Sequence, residues 1–335
     1  MSLLTVDGAT QWFRNQTKPA LDNVHLQIAP GEIVALVGES GCGKSTLGRI
    51  SCGMLEPTTG SVTFDGHAVT SMSKRELKRF RMRAQMVHQD PFASLNPGLP
   101  LRTTLGYPLR YHRLARSRDL QDHLLALLES VGLDEGPAFL DRYPHQLSGG
   151  QRQRVSIARA LSLNPSLIVA DEAVSMLDVS MRVSLLDLML SLQEEHGMAY
   201  LFVSHDLGVV RYFAGEGRIM VMFYGLVVEE GRTEDVITNP QHPYTTVLLG
   251  GTPVPDPRRA RQRARGDSLK QAEGAASDTG CVFYQRCPLA RQRCLEAQPP
   301  LLDVGSQHRS ACWFHDEVPA HNQATNTTIA GTPAG

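Results

Sequence analysis

The chain has no stretch of roughly 18 consecutive apolar residues, so nothing in it reads as a membrane span. Its start, Met1 to Thr10, lacks the basic region followed by an apolar one that marks a secretory signal. The expectation is a protein that stays in the cytoplasm and meets a membrane only through partners. An excess of charge is also missing. With 33 Lys and Arg against 34 Asp and Glu, the net charge is −1, and global charge gives no argument for a nucleic-acid partner. Cysteine is scarce and uneven. Cys42 and Cys52 sit among apolar and glycine-rich segments, while Cys281, Cys287, Cys294 and Cys312 crowd into the last quarter. In a cytosolic chain such a cluster reads as metal or redox chemistry before disulfides.

What is present is an ordinary globular composition over 335 residues, enough for one large or two small domains. Val24, Leu26 and Ile28 alternate with polar neighbours, as in a half-buried strand, and Ser61 to Phe64 read similarly before an Asp65-Gly66 turn. Ile33 to Val37, Leu167 to Ala170 and Tyr200 to Val203 are continuous apolar runs, which suit a parallel sheet covered on both faces. Between the last two, Arg182 to His196 carries a helical pattern that Gly197 ends. Strand, helix, strand is the βαβ unit of an α/β fold. The texture changes after Gly231. Residues 252–280 read as a linker containing an arginine run, 281–318 as a small four-cysteine module, and 319–335 as a disordered tail, leaving 1–251 as the main domain.

Three motifs carry chemistry. Gly38-Glu39-Ser40-Gly41-Cys42-Gly43-Lys44-Ser45 fits the phosphate-binding pattern G-x-x-x-x-G-K-[ST], after a strand and before a helix. Its glycines let backbone N–H groups converge on phosphate oxygens. Lys44 is placed to reach the β- and γ-phosphates, Ser45 to ligate Mg²⁺, and Thr46 to add a phosphate contact. The strand Leu167 to Ala170 ends in Asp171 and Glu172, read as a Mg²⁺ ligand and a general base that polarises water. Leu147-Ser148-Gly149-Gly150-Gln151 puts a serine and two glycines at a helix N-terminus, a second anion-binding element in one chain.

This third motif resembles the signature of the ATP-binding cassette family. The resemblance implies a P-loop cassette fold: a RecA-like core with an N-terminal antiparallel β subdomain and a helical subdomain. It also implies a head-to-tail dimer in which each signature completes the partner's ATP site. Gln89 then matches a loop glutamine that contacts Mg²⁺ and senses the membrane partner. His205 matches the switch histidine, and Ser175 to Asp178 a loop crossing the dimer interface. Phe13, with Trp12 as the alternative, matches the aromatic that stacks on adenine. Ala173 and Met176 depart from the family's usual Pro and Ala, so slower hydrolysis is expected.

Gln89 to Pro97, Arg142 to Gln146 and Asn239-Pro240 with His242-Pro243-Tyr244 resemble the F-type ATPase subunits of dipeptide/oligopeptide permeases. This implies an importer motor on the cytoplasmic face of the inner membrane. Its partners would be a second cassette subunit, two polytopic membrane subunits and an extracytoplasmic solute-binding protein, with no nucleic acid. A groove near Gln89 and Asp90 to Pro97 would receive a short helix from a membrane subunit. In that group the C-terminal cysteines resemble a 4Fe–4S iron–sulfur region; zinc and no metal stay open. Rival readings are a poorly catalytic regulatory cassette, a soluble cassette of DNA repair or translation, and a metal sensor.

Overall fold

The computed structural model describes residues 2–14, 16–90, 94–250, 277 and 279–320. Residues 91–93 of the expected docking groove, nearly all of the expected linker and the tail from 321 lie outside the described residues. The chain divides into two compact units, Met1–Val227 and Val228–Gly335. Among the described residues no helix is long and apolar enough to cross a membrane.

The first unit opens with an antiparallel sheet. Strands β1 (Leu4–Gln11) and β2 (Leu21–Ile28) pair with Leu4 opposite Ile28 and Val6 opposite Leu26, which puts their alternating apolar residues on the buried face. After β3 (Ile33–Val37) and α1 (Lys44–Ser51), strands β4 (Thr59–Phe64) and β5 (His67–Ala68) complete this sheet in the order β2-β1-β4-β5. A capping box of Ser73 and Glu76 starts α2 (Lys74–Arg83), which runs into β6 (Ala84–Val87).

Three helices follow: α3 (Leu101–Tyr111), α4 (Leu120–Glu129) and α5 (Gly149–Leu161). They pack on one another and form the helical part of the unit. The chain then alternates β7 (Leu167–Asp171), α6 (Val179–His196), β8 (Ala199–Ser204), α7 (Leu207–Ala214) and β9 (Arg218–Phe223). Gly197, in the left-handed region, ends α6 as its position in the sequence suggests.

The parallel strands stand in the order β9-β3-β8-β7-β6. Every residue of β7 and β8 is buried. That explains their unbroken apolar runs: both faces are covered, and each fully buried Leu, Val or Phe contributes roughly 1.5–3 kcal/mol. Because the strands are parallel, β3 and β7 present their C-terminal ends at the same edge, where open α/β sheets bind ligands.

The second unit contains β10 (Leu226–Arg232) from Val228 onward, α8 (Thr233–Thr238), α9 (Pro243–Gly250), the short α10 (Arg293–Glu296), β11 (Leu302–Gly305) and β12 (His308–Ser310). β12 lies antiparallel to both β10 and β11.

Candidate nucleotide-binding site

The loop between β3 and α1 has a backbone that only its glycines can follow. Gly38, Gly41 and Gly43 have φ of 148°, 81° and 109°. A Cβ on Gly38 would lie 2.2 Å from the Met222 carbonyl oxygen, and one on Gly43 would lie 2.4 Å from that of Ala20. The loop is thus wedged against the neighbouring strand ends, and its curl is fixed before any ligand arrives. Lys44 is buried, and its Nζ donates to the carbonyls of Gly38 and Glu39, both at 2.8 Å. The ammonium is thus held against the carbonyls of its own loop. Cys42 is buried 3.7 Å from the same Nζ, and burial raises its thiol pKa.

Ser45 and Asp171 meet at the strand ends, with the hydroxyl donating to Oδ1 at 3.0 Å. Burial raises the Asp171 pKa, the Ser45 hydrogen bond opposes this, and the charge of Glu172 adds to the rise. A buried carboxylate beside a hydroxyl is a donor pair suited to a hard cation such as Mg²⁺. Glu172 has φ of 49°, an uncommon backbone for a glutamate. Its N–H bonds the Val203 carbonyl at 3.0 Å, while its own carbonyl takes the Ser175 N–H and hydroxyl at 3.1 and 2.9 Å. The turn after β7 is thereby pinned. The Glu172 carboxylate accepts from Gln89 Nε2 at 2.9 Å, and His205 Nδ1 stands 3.3 Å from its other oxygen. The structure therefore brings Gln89, Glu172 and His205 together beside Ser45 and Asp171. Phe13 and Trp12, just past β1, are both exposed.

The signature residues stand apart from this cluster in their contacts. Ser148 is the N-cap of α5, and a capping box joins it to Gln151 through bonds of 3.0 and 3.2 Å. Gln151 also donates to Glu135 at 2.9 Å. An open groove lined by Ser148, Gly150, Gln151, Leu177 and Met181 runs beside it. A Cβ on Gly150 would come within 2.8 Å of Met181 Sδ, so a larger residue there would have to push the methionine side chain aside. Asp178 caps α6 by accepting from the Met181 N–H at 2.9 Å, and that bond holds its carboxyl below the usual range. Met176 is 62% exposed, whereas Ala173 is buried. The serine and glycines thus frame a helix N-terminus in a groove open to solvent.

The ABC transporter family model matches residues 21–175, and the model of the oligopeptide/dipeptide transporter C-terminal region matches residues 228–294. The oligopeptide transport ATP-binding protein AppF of Bacillus subtilis is 43% identical over 298 residues, spanning 88% of this chain and 89% of AppF. The chain belongs to the ABC transporter family. It is accordingly an ATPase coupled to transport.

The dipeptide transport ATP-binding protein DppF of Haemophilus influenzae is 43% identical to this cassette over 303 residues, 90% of each chain. Among solved structures, the dimeric post-hydrolysis state of the cassette MJ0796 bound to ADP and Pi shares 32% identity and a TM-score of 0.61. It covers 69% of this chain and 98% of its own. CbiO1 of Clostridium perfringens, part of the ABC transporter complex cbiONQ, gives 26% identity and a TM-score of 0.62, over 70% and 90%. The P-loop cassette fold read from the motifs is the fold found.

In the second unit the four late cysteines line a single small chamber with His242, Phe283, Leu289 and Trp313. All four are free thiols. Burial raises the thiol pKa of Cys281, Cys287 and Cys312, backbone hydrogen bonds oppose the rise and the neighbouring thiols add to it; Cys287 is pushed up to about 12 and Cys312 to about 11. Among the described residues no group of three or more His, Cys, Asp or Glu side chains is gathered so that it could hold a metal ion. The zinc alternative therefore finds no site among the described residues.

Sequence reasoning missed the polar hub beside this chamber. Glu229 is fully buried and accepts from the His242 N–H at 3.1 Å, the Gln241 N–H at 2.5 Å and His308 Nε2 at 2.7 Å. The signal was a glutamate at an inward register of the strand Val227-Val228-Glu229, where an unpaired charge is not tolerated.

Proposed function

We propose that this chain is the ATP-hydrolysing subunit of a peptide importer. It would sit peripherally on the cytoplasmic face of the inner membrane, paired head-to-tail with a second cassette. Two polytopic membrane subunits and an extracytoplasmic solute-binding protein would complete the machine. The observation that carries the reading is the convergence of Gln89 and His205 on Glu172 beside the Ser45–Asp171 pair. The names of the relatives AppF and DppF supply the solute class.

In this reading Gly38, Ser40, Gly41, Cys42, Gly43, Lys44, Ser45 and Thr46 hold the phosphates, and Phe13 stacks on adenine. Ser45, Asp171 and Gln89 would hold Mg²⁺, which would supply charge neutralisation at the phosphates. Glu172 accepts the proton of the attacking water. His205, 3.3 Å from Glu172, would orient that water towards the γ-phosphate. Leu147 to Gln151 serve the ATP bound by the partner, with Ser175 and Asp178 at the interface. A dimer is supported by the openness of the Ser148 groove, since an anion-binding helix end is useful only when something fills it.

The decisive experiment combines affinity purification from gently solubilised membranes with ATPase assays on the recovered complex. Two membrane subunits and a second cassette should co-purify. Glu172→Gln should lower turnover by about 10²–10⁴-fold while leaving ATP binding intact. Recovery of the chain alone, bound to nucleic acid or ribosomes, would overturn the transport reading. Unchanged turnover in the Glu172→Gln complex would favour a regulatory cassette, a reading that the exposed Met176 also favours.

The chamber of Cys281, Cys287, Cys294 and Cys312 supports a further part of the proposal, a 4Fe–4S cluster. A four-iron cluster is broader than one ion, so its thiolates need not converge on a point. The four cysteines would hold it, and it would supply a one-electron redox centre. Anaerobic purification followed by iron analysis and electronic absorption decides this; iron-free protein from iron-replete cells would remove the cluster.

A further inference from the structure

Between Lys74 and Arg118 the chain carries eleven Lys and Arg residues, opposed only by Glu76 and Asp90, inside a chain of net charge −1. Some of these cations are engaged within the fold. Arg83 pairs with Asp65 and Arg102 with Asp141, both at 2.6 Å, and Arg81 donates to the Gly53 carbonyl.

Four others face outward. Lys74, Arg75, Lys78 and Arg79 of α2 are exposed, and none forms an ion pair among the described residues. Their i, i+1, i+4, i+5 spacing puts them on one side of the helix. The other side buries Phe80 and half-buries Leu77. Glu76, whose carboxylate caps the helix with Ser73 and feels the charge of Arg79, is one negative charge beside these four positive ones.

This cationic face continues onto α3. Lys78 Nζ lies 4.2 Å from the centre of the Tyr111 ring, and Tyr111 stacks on Tyr107 with ring centres 5.9 Å apart. Tyr107 is 62% exposed and Tyr111 57%, with Arg110 exposed between them. Rings with polar tips set among unpaired cations match the chemistry of side chains at a membrane–water interface.

We propose that this face of α2 and α3 binds the anionic phospholipid headgroups of a membrane surface. The cations would meet lipid phosphates and the two tyrosines would sit at headgroup level. Charge complementarity selects this occupant. Cytoplasmic loops of membrane proteins are themselves enriched in Lys and Arg, so a cationic face repels them. A leaflet of anionic lipid attracts it, each Lys or Arg raising the partition by about fivefold. With no membrane-spanning helix among the described residues, such a surface would add its attraction to whatever the protein partners provide.

The test is co-sedimentation of the full chain, without nucleotide, with two kinds of vesicle: phosphatidylcholine alone, and equal parts phosphatidylcholine and phosphatidylglycerol. The protein should sediment with the mixed vesicles, leave them as salt is raised, and ignore the neutral ones. Replacing Lys74, Arg75, Lys78 and Arg79 together by Glu should lower the partition at least about tenfold with an unchanged melting curve. If that variant does not fold, Lys78→Gln with Arg79→Gln should give a smaller drop of the same salt dependence. Tyr107→Ser with Tyr111→Ser should weaken binding with little change in salt dependence.

Equal binding to both vesicles, or undiminished binding by the charge variants, would overturn the proposal. So would a wild-type chain that ignores both vesicles while the variants lose co-purification with membrane subunits; the face would then belong to a protein partner. None of these outcomes depends on ATP hydrolysis.

Discussion

The hydroxyl of Ser45 donates to Oδ1 of Asp171 across 126 residues of sequence, at 3.0 Å. Small residues make the approach possible. Gly48, one turn further along α1, lies so near β7 that a Cβ there would stand 2.9 Å from Val169 Cγ1. The helix therefore lies directly on the strand that carries the carboxylate.

Asp171 should be a stability cost in the nucleotide-free protein. Its folded-state pKa is raised, chiefly by burial, so the folded chain holds the proton more tightly than the unfolded one. The penalty is full above the folded pKa and disappears as pH falls below the unfolded value of about 3.9. Asp171→Asn should raise the melting temperature in chelator at pH 7 by about 1–4 °C, and the gain should shrink towards pH 4. Thermal unfolding across that range checks both sign and window. The same variant should lose Mg²⁺-dependent ATP hydrolysis.

Gly43→Ala should cost about 2 kcal/mol or more, because it combines a φ of 109° with a 2.4 Å clash against the Ala20 carbonyl oxygen. Gly41→Ala meets nothing within 4 Å and should cost only about 1–2 kcal/mol, for its φ of 81°. Denaturant melts and ATP titrations of the two variants should rank them in that order.

Ser148→Ala should separate binding from turnover. Loss of the N-cap costs about 1 kcal/mol. The isolated chain should bind ATP as before, since Ser148 makes its bonds with Gln151 and not with the phosphate loop. Hydrolysis by the assembled transporter should fall. Reduced ATP affinity in the isolated chain would argue against completion of the site by a partner.

Glu229→Ala removes the common acceptor of the Gln241 and His242 N–H groups and of His308. Three donors without that acceptor, two of them buried and one half-buried, predict a loss of about 3–5 kcal/mol in the second unit. Limited proteolysis should show faster cleavage after residue 228, with the first unit's ATP binding retained.

Much of the nucleotide site was legible because its chemistry is local. A phosphate loop needs glycines at fixed offsets, a buried strand needs an unbroken apolar run, and a helix start needs a cap, so Gly38 to Ser45, Leu167 to Glu172 and Ser148 to Gln151 announce themselves in order. Unbroken runs also betrayed the parallel sheet, since only strands covered on both faces tolerate them.

Other features had no local signal. The approach of Gln89 and His205 to opposite oxygens of one carboxylate depends on the order of β6, β7 and β8, which no spacing encodes. The Glu229 hub depends on β12 bringing His308 from 79 residues away. The common chamber of the four cysteines depends on the start of α9, the short α10 and the segment Cys312 to Phe314 after β12 coming together around Phe283. By itself the sequence determined the elements, their caps and the residues able to hold phosphate and metal, because backbone geometry and side-chain chemistry act over a few residues. Only the tertiary structure decided which of those residues meet, because hydrogen bonds and close packing act over a few ångströms of space, whatever the distance along the chain.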